Sequence, residues 1–232
     1  MTATQDTPPP DTSRQGDEGT RSQRKRKAIM DAARTAFLAQ GYRGTSMDDV
    51  AARASVSKQT VYKHFADKAE LFTEIVTTTV NEVSDPVHAE VVDLQDSGDI
   101  ESDLRDLARR QLTMVMQPRI MQLRRLVIAE ASRFPELGRT FYERGPGRTI
   151  AALASSFERL AARGLLELDD PMHAATQFNW LVMSAPLNQA MLLGQDEPPS
   201  AAEVDGFVNG GVRTFLAAYE KRGSSSGSRS DR

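Results

Sequence analysis

The chain has 232 residues, 39% hydrophobic and 26% charged, with a net charge of −3 and no cysteine. This is the make-up of a soluble globular protein of one or two domains, and it excludes disulfides, thiol nucleophiles and thiolate metal sites together. No run approaches the roughly 20 apolar residues needed to span a bilayer, and the N-terminus lacks the apolar core of a signal peptide, so the expected location is cytoplasmic.

Residues 1–20 hold Pro8, Pro9 and Pro10 among Thr, Asp, Ser and Gly, with almost nothing to bury, and are expected to be a disordered tail. The run Arg24, Lys25, Arg26, Lys27 then opens a first helix. It reads equally as a solvated helix end or as an arm that neutralises phosphates. Ala28, Ile29, Ala32, Ala33, Ala36 and Phe37 recur at helical spacing up to Gln40, where Gly41 supplies a left-handed stop.

Between Thr45 and Leu71 three short helices have separate start signals. Thr45 or Ser46 caps the first, with Asp48 and Asp49 in the turn where the helix dipole favours negative charge. Met47, Val50, Ala51 and Ala54 give it an apolar face. Ser55 and Val56 turn the chain, and Ser57 caps the next helix at once. Asp67, with Glu70 three residues on, caps the third.

This is the pattern of a helix-turn-helix, in which the start of the second helix enters the major groove. Gln59 can pair bidentately with adenine, Lys58 can donate to guanine, and the Thr60 methyl can contact thymine. Thr45, Ser46, Tyr62, Lys63, His64 and Lys68 carry hydroxyl, ammonium or imidazole groups suited to phosphate oxygens. Lys68 also stands at a helix start, where dipole and charge act in the same direction. From Arg21 to Glu70 there are eleven Lys and Arg against five Asp and Glu, a local +6, which leaves −9 for the remainder. A basic patch on an acidic body suits a protein that grips DNA with one part only.

The stretch from Arg26 to Phe72 closely resembles the DNA-binding domain of the TetR/AcrR family of bacterial transcriptional regulators. Ala32, Ala33, Phe37, Gly41, Tyr42, Thr45, Ser46 and Met47 carry the match, followed by Val50, Ala51, Ala54, Val56, Ser57, Thr60, Val61, Tyr62, His64, Phe65, Lys68, Leu71 and Phe72. One departure is Ser55 after Ala54, where many members have glycine; a non-glycine turn costs backbone freedom. Downstream, R-L-V-I-A-E-A from Arg125 to Ala131 and F-P-E-L from Phe134 to Leu137 resemble the regulatory domain of one branch of the family.

Beyond Phe72 the pattern stays helical. Helices are expected over about 102–117 and 119–133, then over 136–163 with a break at Gly145-Pro146-Gly147. Two more follow over 171–193 and 201–222, the first started by Asp170 and Pro171, the second by a capping box from Ser200 to Glu203. The tail over 223–232 is expected to be disordered. The fold class is therefore all-α, with about nine helices: a helix-turn-helix domain over 21–70 and a helical regulatory and dimerisation domain over 71–222.

The resemblance implies a homodimer through the last two helices, a palindromic operator, and a small-molecule inducer whose cavity lies among the middle helices. The apolar stripe from Val204 to Tyr219 and the face bearing Phe178, Leu181, Val182 and Ala185 are equally compatible with dimer contacts and with intramolecular core. Met121, Phe134, Phe141, Phe178 and Met183 supply soft apolar surface for a cavity, and Glu130 and Asn179 are polar residues able to orient a ligand there. The function expected is a sequence-specific DNA-binding repressor released by a small, largely apolar ligand. The alternative is a DNA-binding regulator controlled by a protein partner. No cofactor or metal is expected, because His88 and His173 lack ligand-like spacing, and no acid-base pair or phosphate loop suggests an enzyme.

Overall fold

The computed structural model describes residues 12–194 and 197–221, so the expected tail over 223–232 lies outside the described residues. The same holds for the first eleven residues of the expected N-terminal tail; from Thr12 onward the chain is helical. Among the described residues there are ten α-helices, one 3-10 turn and one isolated bridge in place of any sheet. Contacts divide the chain into two compact units that meet in sequence between Ile75 and Val76, five residues past the boundary expected at 70/71.

In the first unit, α1 (Thr12–Gly44) is broken at Gly41, whose φ of 73° is the left-handed conformation that glycine adopts without a Cβ penalty. The basic run Arg24–Lys27 therefore lies inside a helix rather than at its start. α2 (Met47–Arg53) begins with a reciprocal capping box: Ser46 Oγ accepts from the Asp49 amide at 3.1 Å, and the Asp49 carboxylate accepts from the Ser46 amide at 3.1 Å. α3 (Lys58–His64) starts on Ser57, whose Oγ accepts from the Thr60 amide at 3.1 Å. The turn between them places Ser55 at φ 54°, a left-handed non-glycine residue.

α4 (Lys68–Asp93) starts on Asp67 and runs from the first unit into the second. Ile29, Ala33, Phe37, Val50, Val61, Phe65, Leu71 and Phe72 fill the core of the first unit. Phe37 packs against Tyr42 and Phe72 with ring centroids 5.7 and 4.9 Å apart. Each such ring contributes about 1.5–3 kcal/mol by leaving water.

The second unit continues through the 3-10 turn Leu94–Asp96, α5 (Ile100–Val115), α6 (Pro118–Glu130) and α7 (Pro135–Tyr142). After a wide π-type turn over Glu143–Gly147 come α8 (Arg148–Ala162), α9 (Pro171–Leu193) and α10 (Ala201–Tyr219). The tenth helix arises because the segment expected as one kinked helix is two, α7 and α8. Gly145 at ψ −108° leaves the helical region and Pro146 has no N–H to continue the ladder.

α9 packs between α8 and α10, and α10 also rests on α5. Phe157, Phe178 and Phe215 form the aromatic centre, with centroids 5.0–5.8 Å apart. The α8–α9 connection is tied to the end of α10 through Glu167 N–H to Tyr219 O at 2.8 Å. At Gly211 the backbone of α10 comes so near α9 that a Cβ would stand 2.8 Å from Val182 Cγ2. Pro86 interrupts the ladder of α4 and Pro186 that of α9.

Candidate nucleic-acid interface and ligand cavity

In α3 the residues at helical spacing separate into two faces. Val61 and Phe65 are buried, while Lys58, Gln59, Tyr62 and Lys63 are exposed, two pairs four residues apart that form one outward surface. Gln59 carries its amide on that surface, and Tyr62 is 46% exposed. Lys58 leans back to Asp48, with Nζ 2.9 Å from the carboxylate; the hydrogen bond to Asp48 and then its charge hold the ammonium above its ordinary pKa. Such an exposed pair is weak and exchanges readily for a phosphate or a base acceptor.

Thr60 is half-buried, its hydroxyl 2.8 Å from Ser57 Oγ, so the capping pair fixes its rotamer. His64 is half-buried at the end of the helix. Burial first, then the positive charges of Arg26, Lys63 and Lys25, depress its pKa, so the imidazole is neutral near pH 7. A neutral imidazole keeps one N–H donor.

Two sequence-chosen phosphate contacts sit differently. Thr45 is 1% exposed and its hydroxyl donates to Gly41 O at 2.9 Å, which braces the break at Gly41 within α1. Lys68 donates from Nζ to Tyr42 O and Thr45 O, each at 2.9 Å, and lies 4.4 Å from the Tyr42 ring centroid. Its ammonium pins the same turn from the other side. Ser46 is exposed, but its hydroxyl is given to the Asp49 carboxylate at 2.6 Å; that bond, followed by the Ser46 backbone bond, lowers the Asp49 pKa. Of the basic run, Arg26 is drawn to Glu74 at 3.0 Å and over the Phe65 ring, Lys27 pairs with Asp31 at 2.7 Å, and Arg24 and Lys25 are exposed.

Within the second unit a narrow cavity of about 50 Å³ opens to solvent among α4 to α9. Val80, Val83, Ser84 and Val87 of α4 form one wall, and Gln111 and Val115 of α5 another. Ile120, Leu123 and Arg124 of α6 face Phe141, Thr149 and the Gly145-Pro146 turn. Asn179, Trp180, Met183 and Leu187 of α9 close it. Its polar points are few: Gln111 Nε2 donates to Asn179 Oδ1 at 3.1 Å in a buried pair.

Phe141, Asn179 and Met183 of the sequence-chosen ligand residues are thus brought together, and Met121, Glu130, Phe134 and Phe178 are not part of this lining. Met121 and Phe178 are fully buried core, Glu130 ends α6, and Phe134 lies against Arg133. Arg124, Gln111 and Thr149 were missed. The i, i+4 pairing of Arg124 with Ile120 was the available signal, since it sets this arginine beside the buried Leu123–Val127 ridge.

Among the described residues no helix is long and apolar enough to cross a membrane, and no cluster of three or more His, Asp or Glu is placed to hold a metal.

Residues 29–75 match the family model for bacterial regulatory proteins of the tetR family, and residues 102–221 match that for the C-terminal domain of AefR-like transcriptional repressors. A solved structure described as a TetR-family transcriptional regulator from Mesorhizobium loti MAFF303099 is 42% identical, with a TM-score of 0.80 over 86% of this chain and 98% of that one. The structure named flavonoid-responsive regulator FrrA is 35% identical, with a TM-score of 0.68 over 86% and 99% of the two chains. The uncharacterized HTH-type transcriptional regulator YhgD of Bacillus subtilis is 46% identical over 59 residues, which span 25% of this chain and 31% of that protein. This chain, helical throughout its described units and matched in both, thus belongs to the TetR family of bacterial transcriptional regulators and is a DNA-binding regulator of transcription.

Proposed function

We propose that the protein is a cytoplasmic, non-catalytic repressor that binds a palindromic operator as a homodimer and leaves it when a small, largely apolar molecule fills the cavity of the second unit. The single observation that carries the DNA-binding part is the outward face of Lys58, Gln59, Tyr62 and Lys63 on a helix whose opposite face is core. Gln59 and Lys58 would read base edges, with the Thr60 methyl beside them, and Tyr62, Lys63 and neutral His64 would hold phosphates. Thr45 and Lys68 would act one step back, by fixing the turn that sets the angle of α2.

The dimer is supported by what α9 and α10 leave uncovered. The stripe from Val204 to Leu216 is intramolecular core, as are Phe178 and Val182. On the far side, Leu181, Ala185, Asn188 and Leu192 of α9 form an exposed uncharged stripe, and Gly206 and Ala217 of α10 present small exposed residues. Two copies joined there would present two reading helices to half-sites about 34–36 Å apart or somewhat more.

Response to a small molecule is supported by the apolar cavity and by the similarity to a regulator named flavonoid-responsive. Reversing a hundredfold preference for the DNA-bound form requires about 5.5 kcal/mol of differential affinity. Burial of an apolar ligand supplies energy on that scale, at about 25 cal/mol per Å².

Selection of bound DNA from a random pool tests this reading. The expected result is a palindrome with a defined half-site spacing, and Gln59→Ala or Tyr62→Ala should weaken binding to it at least tenfold while leaving the oligomer intact. Recovery of no preferred sequence, or unchanged binding by both variants, would remove the assignment. Release of the operator by a protein and by no small molecule would favour partner control.

A further inference from the structure

We propose that the effector is an organic carboxylate with an apolar body and that Arg124 selects its charge, an inference that rests on the cavity being the effector site. Among the described residues that line the cavity, Arg124 is the only charged one. Its Nε is sealed from solvent and has no hydrogen-bond partner. The guanidinium carbon stands 5.0 Å from the Phe141 ring centroid, so the charge rests on an aromatic face instead of an acid.

Other arginines of the same unit show the contrast. Arg109 pairs with Asp205 at 2.8 Å, Arg119 with Glu82 at 3.3 Å, and Arg148 with Asp85. Glu82 and Asp85 belong to α4, the helix that lines the cavity, yet their carboxylates are drawn to Arg119 and Arg148. Burial alone lowers the pKa of Arg124, with no acid pulling the other way.

Arg124 is half-buried, so its charge loses part of its water without gaining a counter-ion, a cost that an apolar residue of the same volume would not carry. The arrangement has a use if the counter-ion arrives with the ligand. A carboxylate matches the planar fork of a guanidinium with two parallel hydrogen bonds, strengthened because the surroundings are apolar. Phe141 lies beneath the guanidinium, and the valines of α4 with Trp180 and Met183 offer the surface for the ligand's apolar body. The buried Gln111–Asn179 amide pair adds a second polar point for a distal oxygen.

The test uses the full chain and two matched probe pairs, decanoate with decanamide and 4-phenylbutanoate with 4-phenylbutanamide. Binding is followed by calorimetry and by emission of Trp180, the chain's single tryptophan and part of the cavity wall. At least one acid is expected to bind tenfold or more tightly than its amide. Arg124→Met should erase that preference while keeping amide binding, and Arg124→Lys should keep part of it. The Met variant should melt no lower than the parent, because it removes a half-buried charge that has no acid beside it; should it fail to fold, Arg124→Gln and Arg124→Lys carry the same comparison. Equal binding of acid and amide, or an acid preference that survives loss of the arginine, overturns the assignment of Arg124 and leaves the cavity reading intact. If no probe perturbs Trp180 or releases heat, both the cavity reading and this inference fall.

Discussion

α10 contains three glycines, Gly206, Gly210 and Gly211, that experience very different surroundings, and replacing them by alanine separates backbone propensity from packing. An added methyl at Gly206 or Gly210 meets nothing within 4 Å, whereas at Gly211 it would stand 2.8 Å from Val182 Cγ2 and 3.3 Å from the backbone of Leu181 and Val182. Every Gly→Ala change in the helix interior gains about 0.8–1.0 kcal/mol of helix propensity. At Gly211 the methyl must also displace a stiff β-branched side chain and a neighbouring backbone, an overpacking cost of about 1–3 kcal/mol.

The propensity gain is common to Gly210→Ala and Gly211→Ala, so their difference isolates the packing cost. With about 2–4 °C per kcal/mol for a protein of this size, Gly211→Ala should melt roughly 2–12 °C below Gly210→Ala. Thermal unfolding followed by circular dichroism, at several protein concentrations to account for self-association, makes the comparison. If Gly211→Ala were as stable as Gly210→Ala, the close approach of α9 and α10 would not be what this glycine serves.

Ser55→Gly should stabilise the protein by up to about 1 kcal/mol, because relief of the left-handed Cβ penalty at φ 54° exceeds the chain entropy that glycine adds to the unfolded state. A lower melting temperature for this variant would mean that the Ser55 side chain contributes more than its strain costs. For His64, the folded pKa lies below the ordinary 6.5, so as pH falls through that value the unfolded chain takes up the proton first. Stability held above pH 6.5 is therefore lost on the acid side. Melting temperatures of the parent and of His64→Gln between pH 7.5 and 5.5 should diverge, the parent falling more steeply; parallel curves would show that burial of this imidazole is not coupled to folding.

The helix-turn-helix was legible because its determinants are local. Ser46, Ser57 and Asp67 each announce a helix within the four residues that follow, and the Val61–Phe65 spacing identifies the buried face of α3 before any neighbour is known. What escaped were the long-range uses of individual side chains. The Lys68 ammonium reaches back 26 residues to Tyr42 O, and nothing near it in the chain foretells that bond.

The cavity was less legible for the same reason. Phe178 and Asn179 are adjacent, yet one is the centre of the aromatic core and the other faces empty space, since one residue is a 100° turn around the helix. Arg124 and Arg125 differ likewise: the first enters the cavity, while the second donates to Ala190 O at 3.2 Å. Which of two neighbouring arginines turns inward is set by helices that pack across it, not by its own flanks.

Pro86 and Pro186 give two walls of the cavity a shared mechanical property. Neither residue has an amide hydrogen, so the rungs that would join position 86 to the Glu82 carbonyl and position 186 to the Val182 carbonyl do not exist. In α4 the missing rung falls among Val83, Ser84 and Val87, and in α9 between Met183 and Leu187, all of them cavity-lining residues. At those points each wall can bow outward without breaking a hydrogen bond. The chamber therefore has two built-in creases, one on each of two separate helices, at the points where its walls are least tied by their own backbone.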